Sequence, residues 1–198
     1  MREHHQRARP RASAARRVGL AGHSLGGWTV LATPESDPRV RAVVAMAPGG
    51  SSHPRPGVLP LSLTFAWGRD VPVLYLAAED DVPVPPAGVR ELFDRTPATK
   101  QMAILRHAEH QHFADDVEAS HEALRAMTLP GEAAWIPAAM RPIAELCPGD
   151  HAHLFARGLA LAHLDATLRR SAAAAEFLAG DLEAELAARG VEAITHRP

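Results

Sequence analysis

Four short runs of this chain, Arg17 to Ala21, Val40 to Ala47, Pro72 to Ala77 and Gln101 to Leu105, are rich in Val, Ile, Leu and Met and show no polar alternation. A strand with one wet face alternates apolar and polar residues. Unbroken apolar runs of this length therefore suit strands buried on both faces of a parallel sheet. Between them, Leu25 to Ala32 and Ala87 to Arg95 read as crossover helices, which gives the order β-α-β, loop, β-α-β. The expected class is α/β, with about four parallel strands and flanking helices.

The ends of the chain read differently. Residues 1–16, MREHHQRARPRASAAR, have no apolar periodicity and are expected to form a disordered basic arm. Residues 17–127 hold the expected core, and residues 128–198 a helical extension packed on it. One helix is expected from near Ala114 to Met127 and a second from Asp150, after Pro148-Gly149. A third carries Phe177, Leu178, Leu182 and Leu186 and stops at Gly190.

With 198 residues and 46% hydrophobic content the chain suits one globular unit with a real core. Its net charge of −2 argues against a nucleic-acid or anionic-membrane partner and for a small molecule. Cys147 is the one cysteine, which excludes an intramolecular disulfide. No apolar run approaches the ~18 residues of a membrane span, so a cytoplasmic setting is expected.

Chemistry concentrates at three turns. The first is Gly22-His23-Ser24-Leu25-Gly26, a G-x-S-x-G pattern entered from the apolar Val18 to Ala21 and followed by a helical stretch. That context fits a nucleophile elbow, a strained strand-to-helix turn that exposes a serine hydroxyl at the top of a sheet. A phosphate loop is excluded, because no Lys-Ser/Thr follows the glycines and no G-x-G-x-x-G is present. A serine needs a base and an orienting carboxylate, which should follow later strands in the order acid, then histidine.

Both types occur where they are needed. After Val73 to Leu76 comes Ala77-Ala78-Glu79-Asp80-Asp81-Val82-Pro83-Val84-Pro85, and after Met102 to Leu105 comes Arg106-His107-Ala108-Glu109-His110-Gln111-His112-Phe113-Ala114-Asp115. The first offers Asp81, with Asp80 as the alternative acid. The second offers His110, then His112, then His107 as bases. A rival reading of the histidine cluster is zinc, with His107, His110 and His112 joined by Asp115, Asp116 or His121. Its spacing is not H-E-x-x-H, and an ordered Ser, Asp, His set at three strand ends is the more constrained pattern.

The three loops together resemble the α/β-hydrolase superfamily, most closely its dienelactone-hydrolase-like and platelet-activating-factor-acetylhydrolase-like esterases, over about Arg17 to Met127. Asp81 falls on the carboxylate of the Gly-x-x-Asp-x-x-Val-Pro acid loop, with Ala78 at the glycine position and Val84-Pro85 completing it. Ala108-Glu109-His110 is similar to the Gly-Ala-x-His turn, and His110 to Asp115 to the His-Gln-x-Phe-x-Asp run of the acetylhydrolases. Position 24 is serine where dienelactone hydrolases proper have cysteine.

The resemblance implies a cofactor-free serine hydrolase of carboxylic esters or related acyl bonds, with Ser24 as nucleophile, His110 as base and Asp81 as acid. The Leu25 backbone N–H would be the oxyanion donor. It also implies a second oxyanion loop and further strands upstream of the elbow, yet only 23 residues precede Ser24. The chain is therefore expected to hold the C-terminal half of the fold, with an exposed sheet edge at its first strand open to self-association. A non-catalytic binding or remnant module is the alternative. Lid or pocket residues, or a plain surface loop, are expected between Pro48 and Val71, including Phe65 and Trp67.

Overall fold

The computed structural model describes residues 17–49 and 62–198; the expected basic arm, residues 1–16, lies outside them. The fold is α/β. Five strands, β1 (Val18–His23), β2 (Val40–Met46), β3 (Val73–Ala78), β4 (Lys100–Leu105) and β5 (Ala193–His196), form one sheet in chain order. The first four run parallel, and β5 runs antiparallel to β4. Every residue of β3 is buried, as its unbroken apolar run requires. Val73, Tyr75 and Ala77 face one side, and Leu74, Leu76 and Ala78 the other.

Helices cover both faces. Helices α1 (Leu25–Ser36) and α2 (Pro86–Arg95) pack Val30, Leu31, Leu92 and Phe93 against the first side. On the second lie α3 (Val117–Arg125), α5 (Gly149–Leu164) and α7 (Leu182–Ala187), through Val117, Phe155, Leu159, Leu182 and Leu186. Short α4 (Trp135–Ala139) packs on α3, and α6 (Ala172–Ala179) joins α5 to α7. No helix among the described residues is long and apolar enough to cross a membrane.

Several expectations need correction. The extension is not wholly helical: after Gly190 (φ +78°) Val191 is fully buried, and Ala193–His196 add an edge strand to β4. The expected third helix is two helices. Asp181 accepts the Ala184 N–H at 3.0 Å and starts α7 afresh, because a side-chain cap at the Gly180-Asp181 step replaces the continuing helical bonds. Likewise α3 begins at Val117, after Asp116 caps it through the Ala119 N–H. Pro148, not Asp150, is the N-cap of α5. Phe65 and Trp67 form neither a lid nor a plain surface loop: both are buried in the α1/α2-side core, edge to face with each other, and the Arg95 guanidinium lies 5.4 Å over the Phe65 ring. Residues 50–61 of that segment are outside those described.

Candidate functional site

Ser24 caps the end of β1 at the start of α1, with φ +57° and ψ −120°. A non-glycine residue adopts such a conformation only when its surroundings impose it, at a cost of about 1–3 kcal/mol. The surroundings are visible. The Ser24 N–H donates to the Met46 carbonyl (2.9 Å), and its own carbonyl accepts the Trp28 N–H (3.1 Å). A Cβ on Gly22 would stand 2.3 Å from the Gly26 carbonyl oxygen, so only glycine lets strand and helix meet this closely. Gly27 is similarly confined, against Pro48 Cα and the Met46 carbonyl. At Gly26, by contrast, a Cβ meets nothing within 4 Å, so the steric reason for glycine that holds at position 22 does not extend to it.

The Ser24 side chain makes no capping bond to α1. The first N–H groups of a helix have no intrahelical partner and carry the positive end of its dipole. The Leu25 N–H, at the first position of α1 and next in the chain to Ser24, is one of these groups.

Asp81 and His110 meet across the ends of β3 and β4. His110 Nδ1 donates to Asp81 Oδ2 at 2.8 Å, and the Val84 N–H donates to Asp81 Oδ1 at 2.7 Å. The carboxylate can only accept, so Nδ1 carries the proton of this bond. Both side chains are almost wholly buried. His23, the residue before Ser24, lies against the His110 ring with centroids 4.5 Å apart, and Phe113 backs it at 5.6 Å. The histidine–carboxylate pair thus adjoins the residue that precedes Ser24.

The other candidates are committed elsewhere. Asp80 pairs with Arg141 (3.1 Å) and Glu79 with Arg106 (3.4 Å). His112 is not a free base: its Nε2 donates to the Cys147 carbonyl (3.2 Å) and its Nδ1 accepts the Glu109 N–H (3.0 Å). Burial holds its pKa below the usual histidine value, which suits this neutral bracket. His107 is exposed, with φ +51°. His121 Nε2 donates to the Arg141 carbonyl. The histidines therefore do not converge as zinc ligands. Among the described residues only Glu79, Asp80 and His107 bring ligand atoms within 4.8 Å of one another, and both carboxylates there already face arginines.

Three residues at the site escape a motif search. His23 occupies the variable position of the elbow; burial first, and the neighbouring His110 second, lower its pKa to about 4, so it stays neutral beside His110. Glu109, fully buried, accepts the backbone N–H groups of Val82 (3.2 Å) and Arg141 (3.1 Å), tying the acid loop to the segment before α5. Burial raises its pKa. Arg141 closes the tie through Asp80 and Glu145. A signal was present only for Glu109, a carboxylate just past an apolar strand and set among the histidines. No family model matches the chain, and no curated protein matches it.

Proposed function

We propose that this chain carries the catalytic groups of a serine hydrolase acting on carboxylic esters or related acyl compounds. The observation that carries the reading is the His110–Asp81 hydrogen bond at 2.8 Å, which orients an imidazole ring lying against His23, the residue before the strained Ser24 turn. Ser24 Oγ attacks the acyl carbonyl while His110 Nε2 takes its proton, and the same imidazolium then protonates the leaving alcohol. Asp81 holds the ring in the Nδ1–H tautomer and stabilises its positive charge. The Leu25 N–H faces the developing oxyanion, with the α1 dipole behind it. Water, activated by His110, then hydrolyses the acyl-serine. A small acyl substrate, no cofactor and a cytoplasmic setting complete the reading.

A second reading, a binding module that keeps the hydrolase half-fold without turnover, draws on β1. Among the described residues this strand pairs only with β2, and it offers its other edge to a further strand or to a second copy of the chain. Hydrolysis of p-nitrophenyl acetate separates the two. The hydrolase reading expects turnover that Ser24→Ala and His110→Ala each abolish; turnover equal in wild type and Ser24→Ala would sink it.

A further inference from the structure

The opposite end of the sheet from Ser24 holds a second constellation. A cavity of about 470 Å³ opens beside the first residues of β3 and β4, lined by Pro72, Val73, Ala166, Ala175 and Leu178 with the buried His163. Its size lies in the range of small-molecule sites, and its lining is mainly apolar. His163 Nε2 donates to the Pro72 carbonyl (3.2 Å), and burial lowers its pKa to about 4, so the ring is neutral and Nδ1 is its remaining acceptor.

Thr167 borders this cavity and also a neighbouring one of about 500 Å³, ringed by Arg17, Arg41 and Arg170. Most other described arginines pair with a carboxylate, Arg169 with Asp165 among them, but these three have no carboxylate partner among the described residues. Guanidinium groups stay charged at any ordinary pH, so these three exposed side chains offer fixed positive charge around one cleft. Thr167 sits in a π-helical turn, Asp165–Arg169, which ends on Arg170 at φ +56°. Such turns are rare and recur at functional sites. The remaining cations at the apolar cavity are occupied: Lys100 donates to the Asp94 and Thr96 carbonyls, and Arg197 to those of Leu178, Ala179 and Gly180.

We propose that these two cavities, which share Thr167, together bind an anionic amphiphile, a phosphate monoester with an apolar body. The phosphate lies among Arg17, Arg41 and Arg170, whose forked donors suit its oxygens, and the apolar body passes Thr167 into the cavity beside His163. The site is separate from the serine chemistry and does not depend on it. The same head group could come from a free metabolite or from a lipid surface. A concave apolar cavity next to the arginines favours the free molecule.

Calorimetric titration with octyl phosphate below its micelle concentration tests this. Wild type and Ser24→Ala are expected to bind it alike at one site. Arg41→Gln/Arg170→Gln, two exposed positions, and Ala175→Phe, which narrows the apolar cavity, should each weaken binding about 10-fold or more. Inorganic phosphate should bind at least about 10-fold more weakly, for want of the apolar contact. The proposal is overturned if octyl phosphate does not bind, if the double arginine variant binds it unchanged, or if inorganic phosphate binds as tightly. Binding to phosphatidylglycerol vesicles without binding to octyl phosphate would overturn it too.

Discussion

Ser24 and the Asp81–His110 pair stand at the same end of the sheet but are held in different ways. Asp81 and His110 follow β3 and β4, two interior strands, and their loops are laced together by buried groups: Val84 on Asp81, Glu109 on Val82 and Arg141, and His112 between Glu109 and Cys147. Ser24 instead ends an edge strand, next to Leu25, which is 54% exposed. Its geometry rests on backbone contacts with Met46, Trp28 and Gly26. The Asp81–His110 half is fixed by a polar network, the Ser24 half by steric fit at one turn. The two should therefore fail under different substitutions.

The largest effect is expected where both halves converge. Ser24→Ala and His110→Ala should each lower esterase kcat by about 10³-fold or more with little change in stability, and the double variant should be no worse than the singles, because the two act as a unit. Next comes the steric half: Gly22→Ala should cost about 2–3 kcal/mol in urea unfolding, since its Cβ would sit 2.3 Å from a backbone oxygen that cannot easily yield. The network half should respond to Glu109→Gln. One backbone N–H loses its carboxylate acceptor, costing about 1–2 kcal/mol and lowering kcat, while Ser24 stays open to acylating probes.

Acid should weaken the molecule for a traceable reason. His163 is held at about 4 in the folded chain by burial, whereas an unfolded histidine titrates near 6.5. Below that value the unfolded state binds more protons, so stability present above pH 6.5 is lost as pH falls toward 4, by up to about 3 kcal/mol. His23, also lowered to about 4, acts with the same sign; Glu109, raised by burial, acts with the opposite sign, adding stability as pH falls through the region just above the usual carboxylate range. Urea unfolding of His163→Gln between pH 7 and 4.5 should show a flatter profile than wild type. The smallest effect belongs to Gly26→Ala, expected within about 0.5 kcal/mol of wild type because the position is open. A large loss there would show that the turn is tighter than its neighbours imply.

Much of the fold could be read from the sequence because the four apolar runs leave few alternatives to a buried parallel sheet. Ser24, Asp81 and His110 stand out as candidates because each follows such a run with a recognisable turn. What could not be read depends on contacts between distant segments. The strand Ala193–His196 is four residues long and acquires meaning only from β4 beside it. Phe177 to Leu186 has helical periodicity throughout, and the local cap at Asp181 overrides it. The hydrogen bond that joins His110 to Asp81 rather than to Asp80 spans two loops and is visible only in the folded chain. His23 and Arg141 are set wholly by tertiary neighbours.

The central claim, that Ser24 is a nucleophile activated by a base which Asp81 orients, is tested most directly by mapping a fluorophosphonate adduct by mass spectrometry. A single adduct on Ser24, formed far more slowly in His110→Ala and in Asp81→Asn, is the expected result. An adduct on another residue, or equal labelling of wild type and His110→Ala, would contradict it.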